Sequence, residues 1–329
     1  MDIELRKNLP GSTLAAWNML LLKTGLKAEQ LPETTVLIWE DEQLIATGSR
    51  QDNVLKYIAV DPAHQGEGLL ASVISTLRQE AFAAGISHLF LYTKPQNREL
   101  FTPLFFYPIA CSENVLLMED RRNGILEHLS SLPEAKCGQN GAIVMNCNPF
   151  TKGHQYLIET AAQECAHLYV FILSEDKSRF SAADRLEMAR LGTAHLKNVT
   201  VLPSGPYMIS SATFPTYFLK ENLCVGAVQC LLDIEIFTRY YAPHFNITRR
   251  YVGTEPNCAV TNAYNEALQA HLPKHGIALR QINRITLDSA PISASAVRAA
   301  MDRGDWAFVE RVVPQTTFDY LKSGGIYHA

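Results

Sequence analysis

The period of hydrophobic and polar positions changes several times along the chain, and each change marks an element. Thr35 to Glu40 and Leu44 to Gly48 are short apolar runs that look like paired strands around the turn Asp41-Glu42-Gln43, and Val54 to Val60 is a further strand-like run. Short β-branched and apolar runs bounded by turn formers read as strands, so these segments are expected to form a meander. From Leu69 to Ala84 the apolar residues take helical spacing, and His88 to Thr93 and Phe105 to Ile109 then read as strands again. Turn formers gather from Ser131 to Asn140 and place a linker there, with a domain boundary at about 138.

Beyond the linker the pattern differs. Gly141 to Cys147 is almost continuously apolar, as suits a strand covered on both faces in a parallel sheet. A helix is expected from about His154 to Ala162. Leu168 to Leu173, Val199 to Leu202, Cys224 to Val228 and Arg250 to Gly253 supply further strands with helical segments between them. The expected architecture is α/β in both halves: a mixed α/β domain over 1–138, then a doubly wound, Rossmann-like parallel-sheet domain over 139–329.

Composition narrows the partners. A chain of 329 residues with 47% hydrophobic and 19% charged residues has material for two packed cores. Its 29 Lys plus Arg against 33 Asp plus Glu give a net charge of -4, without the basic excess of a nucleic-acid binder. No run approaches the roughly 18 apolar residues of a membrane span, and Met1-Asp2-Ile3-Glu4 does not open a secretory leader. A cytoplasmic protein acting without nucleic acid or membrane is expected. The seven cysteines contain no C-x-x-C pair and no zinc-like spacing with histidine, so no metal-ligating residues are assigned. Cys147 reads as a small apolar residue ending a strand.

The chemistry concentrates where the Gly141 to Cys147 strand runs through Asn148-Pro149-Phe150 into Thr151-Lys152-Gly153-His154 and a helix. At the carboxyl end of such a strand, unpaired N–H groups and the helix dipole favour phosphate oxygens. Gly153 lets a ligand approach the backbone, and His154 can donate to a phosphate. A second cluster is Ile292-Ser293-Ala294-Ser295-Ala296-Val297-Arg298. Ser293 or Ser295 can cap the helix that follows, and Arg298 can counter phosphate charge. Between the two clusters lies Lys177-Ser178-Arg179-Phe180-Ser181-Ala182-Ala183-Asp184-Arg185, in which Ser181 suits a helix cap and Arg185 reads equally as a surface, ion-pairing or ligand residue. Glu255 and Asn257, after a strand, border the same region or serve as turn and cap residues.

Thr151 to His154 resembles the T/H-x-G-H motif of the nucleotidyltransferase superfamily, and Ile292 to Arg298 is similar to its I-S-x-S-x-hydrophobic-basic motif. The Lys177 to Arg185 stretch resembles K-x-x-F-[ST]-x-x-x-R of phosphopantetheine adenylyltransferases. The resemblance implies an ATP phosphate site from Asn148, Phe150, Thr151, Gly153, His154, Ile292, Ser293, Ser295 and Arg298. It also implies catalytic roles for His154, Lys177 and Arg298, with Mg2+ bridging phosphates. In the first half, Val60 to Leu70 carries Gln65, Gly66 and Gly68 in a stretch similar to the acyl-CoA loop of GNAT acetyltransferases, with Leu70 where that family has Gly or Ala. Asn97 to Phe101 and Phe105-Phe106-Tyr107 resemble the later helix and strand of that fold. No residue stands out as a general base, Glu40, Glu99 and Tyr107 being equally suited to surface or packing roles.

A GNAT-like domain joined to such a nucleotidyltransferase resembles the [citrate (pro-3S)-lyase] ligase family over the whole chain. The resemblance implies activation of acetate by ATP as acetyl adenylate, then acetylation of the CoA-derived thiol arm on the citrate lyase acyl carrier subunit, with release of pyrophosphate and AMP. Gln65, Gly66 and Gly68 would then hold that arm. The two motifs of the second half equally permit a stand-alone adenylyltransferase that makes dephospho-CoA or NAD.

Overall fold

The computed structural model describes residues 1–175, 178–208, 219, 225–254, 259–287 and 290–323. They form two compact units, one reaching to Ile125 and one from Leu126 onward, apart from a short stretch ending at Val228 that groups with the first.

The first unit runs β1 (Asp2–Arg6), α1 (Gly11–Lys23), β2 (Thr34–Glu40), β3 (Gln43–Gln51), β4 (Val54–Val60), α2 (Leu69–Ala83), β5 (Phe90–Thr93), α3 (Arg98–Phe101), β6 (Tyr107–Cys111) and β7 (Leu116–Glu119), and α4 (Gly124–Ser130) spans the division between units. Its sheet has the order β1-β2-β3-β4-β5-β7-β6, and β2, β3 and β4 form the expected antiparallel meander. Only β4 and β5 are parallel, and they pair at just Val54 with Phe90 and Leu55 with Leu91. Two residues later Tyr57 takes φ 53, opposite a register shift in β3. An irregularity of this kind bends a strand. Pairing stops there, and a cleft opens between the carboxyl halves of β4 and β5. Behind the sheet, Val73, Ile74 and Leu77 of α2 pack on Val36, Ile38, Ile45 and Leu55.

The second unit runs β8 (Asn140–Met145), α5 (Lys152–Gln163), β9 (Leu168–Ile172), α6 (Ala182–Thr193), β10 (Val199–Pro203), α7 (Val225–Ile236), α8 (Ala242–His244), β11 (Ile247–Gly253), α9 (Ala259–His271) and β12 (Ala278–Ile282). A small ladder, β13 (Thr286–Leu287) with β14 (Ala290–Pro291), precedes α10 (Ala294–Asp302), α11 (Trp306–Val312) and α12 (Gln315–Lys322). The main sheet is wholly parallel in the order β10-β9-β8-β11-β12. Strand order therefore reverses between β8 and β11, and in such sheets the crevice beyond the carboxyl ends at the reversal is where ligands bind. Ile143, Val170 and Ile172 of the central strands are buried against Ile158, Met188 and Val297 of the covering helices.

The strand expected at Cys224 to Val228 is corrected: Cys224 lies outside the described residues, and Val225 opens α7, which continues for 12 residues to Ile236. A short apolar run fits a buried strand and a buried helix equally well, and here length separates them. β6 begins at Tyr107 rather than Phe105 because Phe105 takes a left-handed φ of 59.

Gly192, in the last turn of α6, sits where a Cβ would stand 2.4 Å from Cε1 of Phe150, itself fully buried. Glycine to alanine inside a helix ordinarily stabilises by about 1 kcal/mol. Overpacking a filled core costs about 1–3 kcal/mol, and the Phe150 ring is fully buried. Gly192→Ala is therefore expected to lower unfolding free energy by up to about 2 kcal/mol in denaturant titration, and a higher midpoint would contradict this packing.

Candidate active site

At the end of β8 the chain leaves the sheet through Cys147, a fully buried residue at φ 54, and a cis bond between Asn148 and Pro149. Burial pushes the Cys147 thiol up, so it stays a neutral packing group. Phe150 is buried in the core beneath the turn and lies beside the His154 ring at 5.8 Å between centroids. Its side chain serves packing, and any service to a phosphate comes from its main chain. Thr151 caps α5: its hydroxyl accepts from the His154 N–H, while the Thr151 N–H donates to His154 Nδ1 at 3.0 Å. This reciprocal cap fixes the imidazole. With Nδ1 accepting, the neutral ring carries its proton on Nε2, a fixed donor. Burial, and next the charge of Arg284, hold the His154 pKa down at about 4, so the ring is neutral at physiological pH.

The second motif meets the first. Ser293 caps α10, accepting from the Ala296 N–H at 3.2 Å, and its hydroxyl lies 3.1 Å from that of Ser295. A Cβ on Gly153 would stand 3.5 Å from the Ile292 carbonyl, so the N-terminal turns of α5 and α10 touch at these two residues. Arg298 donates from Nη1 to the Asn148 carbonyl at 2.5 Å, and Asn148 Oδ1 accepts from the Phe180 N–H at 3.3 Å. Arg179 adds a neighbouring cation, bonded to the Arg298 carbonyl at 3.2 Å and to Asp302 at 2.5 Å. Asn148, Thr151, Gly153, His154, Ile292, Ser293, Ser295 and Arg298 thus come together at the carboxyl end of β8.

Arg185 resolves differently from its open sequence reading. It is fully buried and donates to the carbonyls of Phe180, Asn146, Leu173 and Glu175 and to Asn146 Oδ1. It gathers the loops after β8 and β9. Ser181 caps α6 as expected, accepting from the Asp184 N–H at 3.1 Å. Lys177, Glu255 and Asn257 lie outside the described residues.

Sequence reasoning missed Arg284, just past β12. Its Nε lies 3.8 Å from where a Cβ on Gly253 would stand, and its N–H donates to Thr254 Oγ1 at 3.3 Å. No motif marks it. The only signal was a basic residue two positions past an unassigned strand.

In the first unit, exposed Gln65, Gly66 and Gly68 line a cleft of about 570 Å³ between β4, β5 and the start of α2. Gly66 and Gly68 take φ 90 and 80, which glycine adopts without strain. Asp61 pins the start of this loop, accepting from the Ala63 N–H at 3.0 Å and from Lys23 Nζ at 2.7 Å. Lys94, Thr93 and Asn97 line the same cleft, whereas Glu40, Glu99 and Tyr107 do not.

Comparison with known proteins gives this geometry its context. Residues 140–321 match the family described as citrate lyase ligase C-terminal domain, and residues 4–101 match the acetyltransferase (GNAT) family. The chain is 37% identical to [Citrate [pro-3S]-lyase] ligase of Klebsiella pneumoniae, over 97% of this chain and 95% of that protein. It is 36% identical to the Escherichia coli K12 protein of the same name, over 98% and 94% of the two chains. The Haemophilus influenzae counterpart is 37% identical over 93% and 94%. With a GNAT domain followed by a parallel-sheet domain, and with relatives matching along nearly its full length, the chain belongs to the citrate lyase ligase family and is a ligase.

Proposed function

We propose that the second unit activates acetate with ATP and that the acetyl group then passes to the CoA-derived thiol arm of the citrate lyase acyl carrier subunit. An acetate oxygen attacks the α-phosphorus, the bond to the β-phosphate oxygen breaks, and acetyl adenylate and pyrophosphate form. The thiolate of the arm next attacks the acetyl carbonyl, and AMP leaves. Residues 1–138 and 139–329 are the functional domains in this reading, with the cytoplasm as its compartment.

One observation carries the proposal: a neutral His154, with its proton fixed on Nε2, stands at the strand-order reversal beside Arg298 and two capped helix N-termini. Donors held in place where charge develops stabilise a transition state without reorganisation. His154 suits the α-phosphate, while Arg298 and the first turn of α10, with Ser293 and Ser295, suit the departing pyrophosphate. Lys177 is assigned to the nucleophile or the α-phosphate on its motif alone. Among the described residues no group of three or more His, Cys, Asp or Glu is placed to hold a metal ion. In this reading Mg2+ would enter as its complex with ATP, a habit that suits this ion. It would neutralise phosphate charge.

The first unit supplies the second half of the reading. Gln65, Gly66, Gly68 and the opening N–H groups of α2 suit the pyrophosphate of a CoA-like arm. Candidate general bases lie outside the cleft, which favours a holding role over acetyl transfer within this unit. No described helix is long and apolar enough to cross a membrane.

The test is ATP–pyrophosphate exchange with magnesium. Exchange is expected with acetate but not with phosphopantetheine or nicotinamide mononucleotide, and His154→Ala is expected to reduce it about 100- to 1000-fold. Exchange dependent on a nucleotide precursor would move the enzyme to cofactor synthesis.

The His154 environment also sets an acid sensitivity. An unfolded imidazole takes up a proton near pH 6.5, whereas the folded ring resists until about 4. The unfolded state thus binds the extra proton first, and stability is full above pH 6.5 and falls as the pH drops toward 4. At about 1.4 kcal/mol per pH unit, the wild type is expected to lose about 2 kcal/mol more than His154→Gln between pH 7 and pH 5. Equal losses in denaturant titrations would contradict it.

A further inference from the structure

Arg284 lies at the same strand-order reversal as the two motifs but belongs to neither. The loop after β12 is tied to the loop after β11 at two points: the Thr254 N–H donates to the Ile282 carbonyl at 3.0 Å, and the Arg284 N–H donates to Thr254 Oγ1 at 3.3 Å. One residue on, the Ile285 carbonyl accepts from the Ile292 N–H at 3.2 Å, and Ile292 touches Gly153 of the first motif. Arg284 is thereby held between the end of β11 and the place where α5 and α10 meet. Its Nε lies over Gly253, whose missing side chain leaves that space to the guanidinium.

We infer that Arg284 is a phosphate-binding residue, contacting the triphosphate of bound ATP and the pyrophosphate that departs. The inference rests on the adenylate-forming reading given above and adds a residue that neither motif contains. A guanidinium presents a planar fork of donors that matches a phosphate with two parallel hydrogen bonds, which an ammonium cannot do. Arg298 and Arg179 lie near Asn148, whereas Arg185 is buried among carbonyls, and a tetra-anionic ligand can engage a further cation. Arg284 adds one from the loop after β12, at Gly253 and Thr254. Its charge already reaches the His154 ring, where it opposes protonation second only to burial. A polyanion seated between the two groups would offset that field, so anion binding and the proton affinity of His154 are coupled through Arg284.

The experiment is calorimetric titration of the full chain with inorganic pyrophosphate and with MgATP, comparing wild type, Arg284→Gln, Arg284→Lys and the exposed control Arg303→Gln. Arg284→Gln is expected to weaken pyrophosphate binding at least 10-fold and Arg284→Lys about 3-fold or more, with Arg303→Gln unchanged. NMR of the His154 ring is expected to show its pKa rising in Arg284→Gln and, in wild type, on adding pyrophosphate. Wild-type binding with undiminished affinity in Arg284→Gln would overturn the inference and leave the adenylate-forming reading in place. So would a raised KM for acetate alone. If Arg284→Gln does not fold, unchanged affinity in Arg284→Lys overturns it equally. Failure of the wild type to bind either ligand would overturn the reading of the site itself, and the inference with it.

Discussion

The guanidinium of Arg185 lies at the base of the site without entering it. Projecting from the first turn of α6 and fully buried, it draws together the carbonyls of Asn146, Leu173, Glu175 and Phe180. These oxygens lie just past the ends of two parallel strands, β8 and β9, and in the loop from β9 to α6, where sheet hydrogen bonding has run out. Buried carbonyls without partners are costly, and one charged fork satisfying several at once fixes their relative positions. The turn that carries Asn148 leads directly from this gathering point, and Asn148 in turn receives Arg298 and the Phe180 N–H. The site thus has a rigid floor of backbone and cation, on which two helix N-termini are set.

That floor explains the state of His154. Thr151 and His154 cap each other, so the ring is oriented by the same bonds that start α5. Burial and, next, the charge of Arg284 both oppose a positive imidazole. The residue is therefore a hydrogen-bond donor rather than an acid-base group near neutral pH. This suits attack by a carboxylate, which needs no proton removed.

Much of this was legible in the chain. The run from Gly141 to Cys147, entering Thr151 to His154, identified a buried strand feeding a helix, because continuous apolarity and a capping threonine have few other uses. Ser293 and Ser181 were readable as caps for the same local reason. Three kinds of feature were not. β1 leaves Ile3 and Leu5 exposed, at 53% and 47%, so its alternation carries no burial signal. α7 shares its apolar opening with any buried strand. Arg185 and Arg284 are set by contacts between segments far apart in sequence, and a lone arginine carries no trace of whether it will meet carbonyls or face a cleft.

The central claim is that the carboxylate of acetate attacks the α-phosphorus of ATP at this site. Reaction of acetate labelled with 18O in both carboxyl oxygens, followed by mass spectrometry of the AMP formed during acetylation of the carrier thiol, tests it most directly. The account requires one acetate oxygen to remain on phosphorus when the thiol takes the acetyl group, giving AMP with a single 18O. Unlabelled AMP, with the label in pyrophosphate or water, would contradict it.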